Sequence, residues 1–111
     1  MSFGALSPIF KNINALPRDY NDSLNNFTPS AYPYVYSVLN HSALGLDWSV
    51  ENQGSSTAVI LVDGVEYDIV NGGIESHTNT PFNIIKILSG SNLYIRIAGI
   101  TLNSARLLKV I

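Results

Sequence analysis

An all-β fold, a single antiparallel β-sandwich of the jelly-roll or immunoglobulin kind with an extended N-terminal arm, is the expectation from these 111 residues. Three observations lead to it. Asp63-Gly64 sits between two apolar runs in AVILVDGVEYDIVNGG, residues 58–73, and a type I′ hairpin turn needs positive φ at both central positions. Short segments elsewhere alternate apolar and polar residues with period two, as half-buried strands do. Turn-forming residues separate these segments roughly every 8 to 12 positions, the spacing of sandwiches and small barrels.

With Asp63-Gly64 as a two-residue loop, Val62 lies opposite Val65, Ile60 opposite Tyr67 and Ala58 opposite Ile69. All six share one face, because side chains alternate along each strand. The other face carries Val59, Leu61, Glu66 and Asp68, which suits partial contact with solvent. Upstream, Tyr32, Tyr34 and Tyr36 alternate with Pro33, Val35 and Ser37, a strand whose proline puts its start at a sheet edge. Residues 40–45 turn. Leu46, Trp48 and Val50 then alternate with Asp47 and Ser49 and are expected to face inward together, before the polar loop ENQGSST at residues 51–57.

Downstream, residues 74–81 are a connection with room for one short strand. Residues 82–88 and 93–100 are expected to pair as a second hairpin around Ser89-Gly90-Ser91-Asn92. Ile84, Ile85 and Ile87 make the first of these apolar on both faces, as in a central or interface strand. Residues 105–111 read as a last strand, with a short helix over 105–109 as the alternative.

Residues 1–31 have no sustained period. Pro8, Pro17 and Pro29 interrupt helix and sheet alike, yet the segment is too apolar for a disordered tail. It is expected to be an extended arm, residues 1–31, preceding a sandwich domain, residues 32–111. Phe3, Ile9, Phe10, Leu16 and Phe27 are the candidates for contact with a neighbouring subunit, and removing the arm is expected to leave a folded β domain.

Composition points the same way. Apolar residues make up 46% and charged residues only 13%, about half the usual 25% share of charge, so part of the surface is expected to be covered by other subunits. Net charge is −2, and all eight acids precede residue 77. From residue 81 onward come Lys86, Arg96, Arg106 and Lys109 without an acid, but isolated among apolar residues, so direct nucleic-acid binding is not expected. The opening MSFGALSPIF has no basic stretch leading into a long apolar run, and no uncharged apolar run reaches about 18 residues. Neither a secretory signal nor a membrane-spanning helix is expected.

No enzyme is expected either. Cysteine is absent, which excludes disulfides and thiolate metal sites. His41 and His77 fall in expected loops, with no second ligand at metal-site spacing. Asp63 is explained by its turn, and Glu66 and Asp68 by the outer face of the hairpin. No nucleophile elbow, phosphate loop or dinucleotide fingerprint is present, so no catalytic residue, metal or cofactor is assigned. The tyrosines offer one sharper alternative: Tyr32, Tyr34 and Tyr36, with Trp48 nearby, as an aromatic platform on which sugar rings stack.

Five features, the VxNxG pattern at Val50 to Gly54, the VDGVEY hairpin, Asn71-Gly72-Gly73, the TPF of Thr80 to Phe82 and the closing IAG of Ile97 to Gly99, give residues 46–100 a distinctive style. In that style the chain resembles small virion proteins of tailed bacteriophages, most of all capsid decoration (cement) proteins with a β-sandwich or jelly-roll domain. The resemblance implies a non-enzymatic structural protein of the virion, assembled in the host cytoplasm. It would self-associate, a trimer being favoured, and stabilise the particle by contacts with major capsid subunits. Fibre and baseplate modules share the style, so a carbohydrate-binding β-sandwich is the alternative that the resemblance leaves open.

Overall fold

The computed structural model describes residues 13–109. A 3₁₀ turn at Ile13–Ala15 leads into β1 (Tyr20–Phe27) and β2 (Tyr34–Ser37), and a second one at Leu39–His41 into β3 (Ala43–Asn52). There follow β4 (Ala58–Val62), β5 (Val65–Ile69), β6 (Ile74–His77), β7 (Ile84–Ser89), β8 (Leu93–Thr101) and a helix, α1 (Leu102–Leu107). No helix among the described residues is long and apolar enough to cross a membrane.

The β4–β5 hairpin forms as its residues require. Asp63 and Gly64 take φ of 47° and 85°, and the pairing runs Val62 with Val65, Ile60 with Tyr67, and Ala58 with Ile69. Asp63 also fastens the turn to the next strand, its carboxylate accepting from the backbone N–H groups of Asn83 and Ile84. From this tip the chain doubles back on itself. β4 pairs with β5, β3 with β6, β2 with β7 and β1 with β8, all antiparallel. Successive rungs fall alternately in two four-stranded sheets, sheet I (β1-β8-β3-β6) and sheet II (β2-β7-β4-β5). The fold is therefore a β-sandwich with jelly-roll connectivity, not the immunoglobulin order.

Between the sheets lies one main core. Ile60, Ile85 and Ile87 from sheet II meet Val50, Leu93 and Ile95 from sheet I, each at most 2% exposed. A smaller cluster lies on the far side of sheet I, where Leu46, Ile100 and Ala105 are covered by Ile13 and Leu16. Thr101 caps α1, its side chain accepting from the backbone N–H of Ser104.

Four sequence expectations are corrected. Residues 20–27 are not part of a detached arm but form β1, an edge strand of sheet I whose Tyr20, Leu24 and Phe27 pack on the main core. Its alternation was hidden by Asp22, a polar residue in phase with Tyr20 and Leu24, and by the register shift at Asn25 and Asn26. Residues 82–88 and 93–100 do not pair with each other: β7 lies in sheet II and β8 in sheet I, so residues 90–92 cross from one sheet to the other. The last strand expected over residues 105–111 is not formed: a helix spans Leu102–Leu107, overlapping the alternative helix over 105–109 but starting three residues earlier. Leu46 faces away from Trp48 and Val50, because the β3–β8 register shifts by one residue between Gly45 and Asp47.

Glycine permits that shift. A Cβ on Gly45 would come within 2.5 Å of the Phe82 ring, and one on Gly99 within 2.1 Å of the Leu44 carbonyl oxygen. Gly45 and Phe82 instead exchange two backbone hydrogen bonds.

One buried polar residue closes an end of the sandwich. Asn52 is fully buried. Its Nδ2 donates to the carbonyls of Ser56 (2.7 Å) and Ile69 (2.8 Å), and its Oδ1 accepts from the N–H of Gly54 (2.9 Å). Its backbone N–H donates to Gly73 and its carbonyl accepts from Gly72, while Asn71 Nδ2 donates to the Gly54 carbonyl. The VxNxG pattern and the Asn-Gly-Gly stop are thus two sides of one contact.

Two stability changes follow. Asn52→Ala strands buried backbone groups at a cost of about 1–3 kcal/mol each, so a total loss of about 3 kcal/mol is expected, read as a lower urea midpoint at unchanged slope. A chain beginning at residue 32 lacks β1 and three half-buried side chains worth about 1 kcal/mol each; urea unfolding should show it less stable by about that sum.

Candidate binding surfaces

The outward face of sheet I is concave and polar. Strand register sets its rows: Ser23 of β1, Arg96 of β8, Ser49 of β3 and Ser76 of β6 lie side by side across the four strands. On one side of this row lie Asn21, Ala98 and Asp47, and on the other Tyr94 and Glu51. Small side chains along the middle leave a groove of about 580 Å³, reaching Asn21 at one rim and Thr78 at the other. The Arg96 guanidinium lies over the Tyr94 ring, 5.3 Å from its centroid.

Arg18 walls off one end. Its Nε and Nη2 engage both carboxylate oxygens of Asp47 (2.9 and 3.2 Å), Nη1 donates to the carbonyls of Ile13 and Leu16, and Nη2 also reaches Asn79 Oδ1. The Arg18 hydrogen bonds hold the Asp47 carboxyl below the usual carboxylate range, helped by the N–H of Asn79. Asp19, beside it, accepts from the Ser104 and Thr101 hydroxyls and from the Thr101 N–H. Those bonds, that from Ser104 first, lower its pKa too.

Sheet II presents a different outward face. One row runs Val35, Lys86, Leu61, Glu66 across β2, β7, β4 and β5. Ile84, Leu88 and Val59 flank it, and Val35 is 51% exposed. The surface is apolar around Lys86, with the acids Glu66 and Asp68 along the β5 edge.

The residues singled out from sequence are dispersed. Tyr36 and Trp48 are buried, at 6% and 3%, while Tyr34 is half-buried and Tyr32 exposed. They do not form an aromatic platform, because the face that Tyr34 and Tyr36 share is the core face. The Tyr36 hydroxyl donates to Asp22 Oδ2 (2.6 Å) and bonds Tyr20, and burial raises both phenol pKa values. His41 stacks on Tyr36. His77 lies in β6, not in a loop, stacked on Trp48 and bonded to Glu75. Phe3, Ile9 and Phe10 lie outside the described residues. Leu16 and Phe27 are taken up by their own chain, Leu16 over the Leu46 cluster and Phe27 edge-on to Tyr34. Among the described residues no group of three His, Asp or Glu side chains is placed to hold a metal ion.

The groove was missed from sequence. Alternation along β8 puts Tyr94, Arg96 and Ala98 on one face, but only the order β1-β8-β3-β6 brings Ser23, Ser49 and Ser76 beside them.

A pH dependence follows from the two depressed carboxylates. Their stabilisation is fully present above the unfolded value near pH 3.9 and is lost as pH falls through their lower folded values. Asp47→Asn should therefore cost about 1 kcal/mol at neutral pH and flatten the fall in stability below about pH 4, as measured by urea unfolding across pH.

Compared with protein-family models, curated proteins and solved structures, the chain finds no match in any of the three.

Proposed function

We propose that this protein is a non-enzymatic structural component of a virus particle, a decoration or cement protein that acts by self-association and by contacts with major capsid subunits. The observation that carries the reading is the outward face of sheet II, where Val35, Ile84, Leu88, Val59 and Leu61 surround a single lysine. A monomer leaves such a face in water, whereas a symmetric oligomer buries it. A second copy suits it by charge as well: Lys86 stands mid-face, and Glu66 and Asp68 line the edge that a rotated copy would bring over it. Jelly rolls are a recurrent architecture of capsid domains, a likeness of fold that supports the reading without carrying it. The low charge, 13% of residues, agrees with a surface that is partly covered.

Light scattering of the full-length chain across a concentration series tests this. A mass of two or three protomers is expected, two for a contact across a two-fold and three for the trimer favoured from sequence. Val35→Asp combined with Leu88→Asp should return the protein to a monomer with an unchanged circular dichroism spectrum. A wild-type chain that stays monomeric throughout would remove the reading.

A further inference from the structure

We propose that the groove across the outward face of sheet I is a binding site for a carboxylated saccharide, with Arg96 receiving the carboxylate. The hydroxyls of Ser23, Ser49 and Ser76 make no hydrogen bond to another described residue, and neither does the Arg96 guanidinium. Tyr94 supports that guanidinium from one side, both residues line the groove, and a guanidinium can take a carboxylate bidentately.

No surrounding acid is hydrogen-bonded to it. Asp47 is bound by Arg18, Asp22 accepts the Tyr36 hydroxyl, and Glu51 accepts from the Gln53 side chain. Among the described residues the groove therefore offers one cation without a hydrogen-bonded partner, Arg96, within a field of hydroxyls and amides that also holds the carboxylates of Asp22 and Asp47, along a floor of small side chains. A nucleic acid would need several cations, and a bare inorganic anion would leave most of the 580 Å³ empty. The volume falls within the range of small-molecule sites, about 300–1,000 Å³. Four strands span about 14 Å from first to last, room for a short oligosaccharide. A sugar with many hydroxyls and one carboxylate matches this inventory group for group. The site is on the opposite face from the apolar surface of sheet II and does not depend on the assembly proposed for it.

The test is titration of the full-length ¹⁵N-labelled chain, followed by amide chemical shifts, with two matched pairs of probes. These are cellobiouronic acid against cellobiose, and sialyllactose against lactose. At least one acid should bind with a Kd of about 1 mM or tighter, and its neutral parent about tenfold more weakly or not at all. The shifts should centre on Ser23, Ser49, Ser76 and Arg96. Arg96→Ala should weaken the acid about tenfold or more, and Arg96→Lys by less, since a point charge replaces the fork. Arg96 is exposed, so both variants should keep the wild-type spectrum elsewhere. The proposal is overturned if neither acid binds at about 10 mM, if the neutral parents bind equally, if the shifts lie outside the groove, or if Arg96→Ala binds as wild type.

Discussion

The β-bulge between Gly45 and Asp47 is the constraint on which most of the molecule depends. β3 and β8 run side by side through the middle of sheet I, and that one-residue shift reverses the side-chain phase of β3 halfway along. Before it, Ala43 faces the main core while Leu44 and Leu46 face outward; after it, Asp47 faces outward and Trp48 inward. The outward leucines give α1 and the 3₁₀ turn at Ile13–Ala15 something to cover. The outward Asp47 gives Arg18 a carboxylate. Without the bulge, Leu46 and Trp48 would share a face, so either Leu46 would enter the main core or Trp48 would be turned out of it. Both ends of the described chain would then lose their seats.

The sandwich has two unlike outer faces, and the difference lies in how each strand uses its alternate positions. In sheet II those positions hold Val35, Leu61, Ile84 and Leu88, with Lys86 among them and the acids Glu66 and Asp68 along the β5 edge. In sheet I they hold Ser23, Ser49, Ser76 and Arg96. Hydrophobic burial drives association in proportion to apolar area, so sheet II suits contact with protein. Hydroxyls and a free guanidinium on a concave floor suit a polar ligand. The proposed assembly surface and the proposed recognition surface therefore use different residues of one small domain.

Polar chemistry is also built into the interior. Asn52 joins the β3–β4 loop to the β5–β6 turn, and every polar atom of its side chain is paired. Elsewhere in the sandwich Tyr20, Tyr36 and Asp22 form a connected set, so the buried phenols are satisfied by a carboxylate at the rim of β1. Buried polar groups are expensive only when unpaired. Paired in this way, they specify which loops meet and leave the rest of the core to apolar and aromatic side chains.

Turn chemistry and alternation were legible where they depend on near neighbours. The Asp63-Gly64 turn, the register of β4 with β5 and the two-sided apolar character of β7 all depend on neighbours a few residues apart, and turn chemistry and alternation report on these directly. Tertiary structure decided the rest. Partner choice decided it for β7 and β8, since an apolar strand does not declare which sheet it joins. Asp22 and the register shift at Asn25 and Asn26 masked an edge strand that is stabilised by β8 on one side only. A bulge at two close-approaching glycines inverted Leu46, and period-two counting cannot register an inserted residue. The aromatic platform failed because alternation says which side chains share a face, not whether that face meets water. The groove needed four strands from distant parts of the chain to stand in one order. Sequence by itself determined a β-sandwich with a well-specified hairpin at its tip; the long-range pairing of strands, whose energy comes from packing between residues far apart in the chain, decided where its two surfaces lie.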